Sequence, residues 1–556
     1  MKSGLQKQLD TNMFLKFSEK EFSILKTCFL WTFVWGFFAH GFAYANFLFN
    51  HDGLQIASNQ QWEISLGRFM HPLYFFVRGT INAPWLVGVL SLCFLSVALF
   101  FICDVFRIEK SMGVFLLAGI LTTNTTFIVL NATYLFLCDL HAFALLLTTF
   151  SIWIVVKRRD VVGVGLASVF LMAAMGIYQS FFSVWLVMAI VFTFTRAFEQ
   201  ECFCEGVNRG IKAFVTRHSY EISFSVVVVF ACVLYKLGTV VSCKLAGVSF
   251  SQTFNYVESA VNFKGVNLLS LFVHTYKNFF ITTLSLPSKY NGMLVKNFSY
   301  SLANVSKYLI SFIYLSLFAL LLHHTIKNRK KARIPQVLYC VFLLLVLPLA
   351  ANCIYFLSKG IRANYELVHL SNWVLFVLPI IFYKKNIVKI KRLIEISFLI
   401  LITVNVIVAN NLYEKKKIVY DSTVLALNRM LTMVESDDDY VPGKTELLLS
   451  GSLNQNPYYS KTMLESVFPP HGKGRQMTGQ DLDVAVSYPG TYYSFIKILL
   501  NSNANFYPYS QEYSDMLNAY ALEIEQMPVF PKQGCCRMID GRMFVKLSGE
   551  AKPYSL

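Results

Sequence analysis

The chain has 556 residues, of which 55% are hydrophobic and only 15% charged, with 51 Phe. A soluble globular protein carries nearer a quarter charged residues, so an ordinary water-soluble fold is excluded as the main architecture. The formal charge of +17 sits in short Lys/Arg clusters between apolar runs, which is the positive-inside bias of a membrane protein and not a nucleic-acid-binding face.

Apolar runs of roughly 20 residues, the length a helix needs to cross a bilayer, recur along the first 410 or so residues. After a polar stretch holding Lys2, Lys7, Lys16 and Lys20, the spans are predicted near 22–48, 84–106, 111–130, 138–156, 161–177 and 180–195. Five more follow near 221–241, 305–322, 336–356, 367–383 and 393–411. The fold class expected is thus a polytopic α-helical membrane protein with about eleven transmembrane helices. Residues 242–304 are less apolar and read as interfacial helices.

Orientation follows from the Lys/Arg distribution. With the N-terminus inside, the same-side segments hold 23 basic residues and the opposite loops 9. An odd number of spans then places the C-terminal region outside. Two domains are expected, a transmembrane domain over 1–411 and an extracytoplasmic one over 412–556. In the latter, charges, Gly and Pro become frequent and the aromatic residues are mostly Tyr. Its end alternates like a strand, with Asp540-Gly541 as a hairpin turn, so a small α+β domain is predicted.

Most of the twelve Cys lie in apolar segments and read as small hydrophobes. Cys202 and Cys204 lack the second pair of a zinc site. Cys535 and Cys536 are adjacent, so a bond between them is strained, and no disulfide framework is expected. No cleavable signal peptide is evident. The sequence has no P-loop, no G-x-G-x-x-G, no H-E-x-x-H and no nucleophile elbow, which removes support for ATP-driven transport and for the usual hydrolases. No clustered ligand set suggests a metal, and no cofactor is expected.

Carboxylates at membrane level are costly and mark function. Asp52 follows the first span in Asn50-His51-Asp52-Gly53, which is also good turn chemistry. Asp139 is the sole acidic residue between Ser111 and Val156, and reads either as a functional carboxylate or as a helix N-cap. Both map to the outer face. The loop after Asp52 sets Gln55, Trp62, Glu63, Arg68, His71 and Arg78 among apolar residues, a pattern that suits a helix lying in the interface plane. Arg68 and Arg78 either hold a lipid phosphate or snorkel to the headgroups. Tyr178-Gln179-Ser180 is a polar tip on a tight hairpin, and Lys359, Arg362 and Tyr365 lie in another outer loop with a second cationic pair. Carboxylates beside membrane-level cations suit an amphiphilic donor with an apolar tail and a phosphate.

His51-Asp52-Gly53-Leu54, Leu66-Gly67-Arg68, Gly176-Ile177-Tyr178-Gln179-Ser180 and the final Met527-Pro528-Val529-Phe530-Pro531…Met538-Ile539-Asp540-Gly541…Val545-Lys546-Leu547 occur in this order. In these stretches the chain resembles the serotype-converting O-antigen glucosyltransferases, the membrane glucosyl transferase II group. Cys535-Cys536 departs from the small polar residues expected there. The resemblance implies a C-class glycosyltransferase fold in the bacterial inner membrane. It implies undecaprenyl-phosphate-linked glucose as donor and a sugar of the lipopolysaccharide O-antigen as acceptor, on the periplasmic face. A flippase and a donor-synthesising glycosyltransferase are implied as partners; no nucleic acid is. In this reading Asp52 is the general base of an inverting displacement, with Asp139 sharing that role or orienting the sugar. Arg68, Lys359 and Arg362 bind the donor phosphate, and His51, Glu63, Tyr178, Gln179 and Tyr365 line the substrate. The rival functions are a transporter or flippase of lipid-linked sugars, and an O-antigen polymerase or ligase.

Overall fold

The computed structural model describes residues 18–48, 60–80, 83–199, 217–250, 267–284, 300–327, 334–354, 366–383, 388–451, 453, 456–458, 493, 496–508 and 510–549. The first helix, α1 (Glu19–Ala45), opens on a capping box in which Ser18 and Glu21 each bond the other's backbone N–H. Two short helices, α2 (Gln60–Ser65) and α3 (Met70–Arg78), precede α4 (Pro84–Val105). The bundle continues through α5 (Ser111–Thr123), α6 (Thr125–Thr133), α7 (Cys138–Lys157), α8 (Val161–Ile177), α9 (Phe181–Phe198) and α10 (Ser219–Ala246). It closes with α11 (Leu268–Thr283), α12 (Tyr300–Lys327), α13 (Ile334–Ala351), α14 (Leu370–Val374), α15 (Val377–Tyr383) and α16 (Val388–Glu435).

Eight of the described helices are long and apolar enough to cross a membrane, and nine if α5 and α6 form one span bent by 41°. Every predicted segment falls on a helix, but two are short: α8 has 17 residues, and the segment near 367–383 is broken into α14 and α15. The bend between α5 and α6 has a local cause. Asn124 Nδ2 donates to Leu121 O at 2.7 Å and its Oδ1 accepts from Phe127 N at 3.0 Å, so one buried side chain caps both half-helices. Backbone groups freed in an apolar layer need such partners.

The central core draws most of its buried residues from α4, α5, α7 and α9, with α8, α14 and α15 packed into it. At Gly88 of α4 an added Cβ would come within 2.3 Å of the Tyr44 ring on α1, so this crossing is close because the residue is glycine. On α10, Val229, Phe230, Val233, Leu237 and Val240 are exposed on one stripe, a lipid-facing pattern. His40 of α1 ties the bundle to α16: its Nδ1 lies 2.6 Å from Tyr413 Oη and its Nε2 lies 2.7 Å from Thr122 O.

Helix α16 has 48 residues, about 72 Å at the α-helical rise. It runs without a break through residue 411 and ends against a four-stranded sheet of β1 (Glu446–Ser450), β2 (Asn505–Phe506), β3 (Cys536–Ile539) and β4 (Arg542–Lys546). The strand order is β2-β1-β4-β3, with β1 parallel to β2 and β4, and β3 antiparallel to β4. Asp540 and Gly541 have positive φ and form the two-residue turn expected between β3 and β4. One sheet face, with Leu447, Leu449, Met543 and Val545, packs on Leu427, Met430 and Val434 of α16. The other, with Leu448 and Phe544, packs on α17 (Gln511–Ala519) and α18 (Ala521–Gln526).

Candidate active site

Helix α2 ends in a Schellman turn. Gly67, at φ +76°, donates its N–H to Ile64 O at 2.9 Å, and Arg68 N donates to Glu63 O at 2.9 Å. An added Cβ at Gly67 would lie 2.5 Å from Tyr235 Oη, so the turn needs glycine for its conformation and for space. The turn folds Arg68 back over its own helix, where Nη1 meets Glu63 Oε2 at 2.9 Å. Glu63 is 1% exposed and the Arg68 side chain 23%. His71, on the first turn of α3, places Nδ1 3.6 Å from the same carboxylate oxygen and Nε2 3.1 Å from Ile177 O.

The hairpin between α8 and α9 closes over this pair. The Arg68 guanidinium sits 5.1 Å from the Tyr178 ring centre. Gln179 Nε2 donates to Leu66 O at 2.8 Å and to Tyr235 Oη at 2.9 Å. Glu63, Arg68, Tyr178 and Gln179, four of the candidate residues, therefore meet in one cluster. Among the described residues, Glu63 Oε1 and Arg68 Nε have no hydrogen-bond partner. Buried polar atoms normally have a hydrogen-bond partner, so this pair retains bonding capacity beyond the contacts within the cluster.

Electrostatics agree with a stable ion pair. Burial raises the Glu63 carboxyl, but Arg68 and His71 outweigh it and hold the group below the ordinary range. Burial depresses Arg68, yet the Glu63 charge beside it leaves the guanidinium raised. Burial pushes His71 down to about 4, so its imidazole is neutral near pH 7.

A second pair lies alongside. Asp139 is the second residue of α7 and not its N-cap. Its Oδ1 accepts from Leu140 N at 2.9 Å, and its Oδ2 is 3.2 Å from Arg78 Nε. Arg78 also donates from Nη2 to Phe136 O at 2.9 Å and lies over the Phe75 ring at 4.7 Å. Asp139 is 0% exposed and Arg78 3%. The carboxylate thus faces into the protein and would reach a sugar only if this pair opened. His141 links the two clusters, with Nδ1 3.0 Å from Leu137 O and its ring 5.2 Å from that of Tyr178. On α3, Leu73, Phe76 and Val77 are exposed opposite the buried His71 and Phe75, the amphipathic pattern of a helix at a lipid interface.

A family model described as Glucosyl transferase GtrII matches residues 41–380, more than half of the chain. The chain belongs to this glucosyl transferase family. No curated protein and no solved structure matches it. The matched stretch begins in α1 and ends in α15, so both ion pairs of the glucosyl transferase lie within it, and the sheet domain lies beyond it. His51, Asp52, Lys359, Arg362 and Tyr365 are also within the match but lie outside the described residues. Tyr235 gave no sign in the sequence, because a tyrosine in an apolar run looks like any other core residue. Arg78 stood out as a cation in an apolar loop, but a separation of about 60 residues hid its pairing with Asp139.

Proposed function

We propose that this glucosyl transferase moves glucose from undecaprenyl-phosphate-glucose to a sugar of the lipopolysaccharide O-antigen, at the periplasmic face of the bacterial inner membrane. The observation carrying this reading is the family match over residues 41–380, the stretch that holds every candidate residue. In the proposed step Asp52 takes the proton of the acceptor hydroxyl. The hydroxyl oxygen attacks C1 of the glucose, the C1–O bond to the lipid phosphate breaks, and the configuration inverts. Arg68, with Lys359 and Arg362, meets the charge that develops on the leaving phosphate. Glu63 fixes the Arg68 guanidinium, and only Nη1 is committed to that carboxylate, which leaves N–H groups for a phosphate oxygen. Asp139 and Arg78 hold α3 against the start of α7.

Purified protein in lipid, supplied with radiolabelled undecaprenyl-phosphate-glucose and a lipid-linked O-antigen acceptor, tests the proposal. Label appearing in the acceptor, with the anomeric configuration opposite to that of the donor, is expected. Label that crosses a vesicle membrane on its lipid without reaching the acceptor would replace the transferase with a transporter.

A further inference from the structure

A cavity of about 430 Å³ lies at the other end of the bundle. Helix α7 carries Asp139 at its start and Lys157 as its last residue; 18 residues of helix separate them by about 27 Å. That is close to the thickness of a bilayer's hydrocarbon core, so the cavity and the candidate active site occupy opposite membrane faces. The cavity is formed where α4, α7 and α9 end and α10 begins.

Its lining is amphipathic and cationic. Arg107, Lys157 and Arg196 face it together with the Phe192 and Tyr220 rings. Two carboxylates share the wall with them, Glu199 and Asp104, and Asp104 accepts from Trp153 Nε1 at 2.7 Å and pairs with Lys157 Nζ at 2.8 Å. The Tyr220 ring is flanked by two guanidiniums, Arg196 and Arg159, each 4.1 Å from its centre. The planar fork of guanidinium N–H groups matches the oxygens of a phosphate. Apolar Val156 and Ile381 complete the wall.

We propose that this cavity binds the phosphate-bearing headgroup of a membrane lipid, with Arg107 and Arg196 on the phosphate and the aromatic wall against the lipid's apolar portion. The site lies across the membrane from the proposed transfer chemistry, and its occupancy does not depend on which sugar is moved.

The test is native mass spectrometry of the purified full chain equilibrated with phosphatidylglycerol, undecaprenyl phosphate or diacylglycerol, which lacks the phosphate. The wild type is expected to retain the phosphate lipids and not diacylglycerol. Arg107→Gln/Arg196→Gln is expected to retain at least about tenfold less, because each lost charged hydrogen bond is worth that much. Preference between the two phosphate lipids would identify the source of the headgroup. Arg107 is exposed, so Arg107→Gln alone serves if the double variant does not fold, with a smaller loss in the same direction. Equal retention of diacylglycerol, or unchanged retention of phosphate lipid in folded Arg107→Gln and in the double variant, would overturn the proposal.

Discussion

Removing either partner of the Arg78–Asp139 pair strands a charge in a site that is 3% and 0% exposed. Breaking a buried pair from one side costs about 3–5 kcal/mol, whereas an exposed pair is worth no more than about 1 kcal/mol. Arg78→Met and Asp139→Leu should each lose about 3 kcal/mol in unfolding titrations of the purified protein in mixed micelles. The double variant leaves no orphaned charge, so it should recover most of that loss, giving a coupling of about 2 kcal/mol or more. Activity separates structure from chemistry. If Asp139 positions α3 through Arg78, the double variant regains part of the transfer rate along with its stability. Additive single effects, or singles within about 0.5 kcal/mol of wild type, would refute the buried-pair reasoning. A stable but wholly inactive double variant would move Asp139 into direct contact with substrate.

Three further expectations follow from the same geometry. Glu63 and His71 both have folded pKa values below their unfolded ones, so the unfolded chain binds more protons at acid pH and stability falls as pH is lowered. The His71 contribution is lost between pH 6.5 and about 4; that of Glu63 is present above pH 4.5 and fades below it. Thermal unfolding from pH 7.5 to about 3.5 should show this slope, and His71→Gln should flatten its part above pH 4.5. Gly67→Ala forces a side chain into a positive-φ turn and against Tyr235 Oη, so a loss of about 1–2 kcal/mol and a weaker donor KM are expected; Tyr235→Phe should relieve part of the clash. In the sheet domain the Lys546 ammonium donates to Glu525 O and Met527 O at 2.9 and 3.0 Å. Lys546→Met removes the donor to both carbonyls, of which that of Met527 is in a buried residue, and should cost about 1–3 kcal/mol, read as earlier proteolysis of residues beyond 435.

The helices were legible because a bilayer demands about 20 apolar residues in a row. The break at Asn124 was not, because a single asparagine serves as cap for two helices only once its neighbours are folded. The extension of α16 beyond residue 411 carried a readable sign: Ala426, Leu427, Met430, Leu431 and Val434 recur at helical spacing. Strand β1 hid because its Leu447, Leu448 and Leu449 are buried on both faces, which erases the alternation that reveals a strand. The β3–β4 hairpin was visible through Asp540-Gly541. At the site, Glu63 and Arg68 were visible as charges in an apolar loop. Their pairing depends on the turn at Gly67, and the approach of Tyr178, Gln179 and Tyr235 depends on long-range packing of α8, α9 and α10.

The proposed transfer reaction is tested most directly by composition and linkage analysis of lipopolysaccharide from cells that supply the lipid-linked donor and express either wild type or Asp52→Asn. A new glucose branch on the O-antigen is expected with the wild type, and its disappearance with Asp52→Asn at equal membrane abundance. An unchanged O-antigen in cells making the wild-type protein would contradict the proposed transfer reaction, and a branch that persists in Asp52→Asn would contradict the assignment of the base.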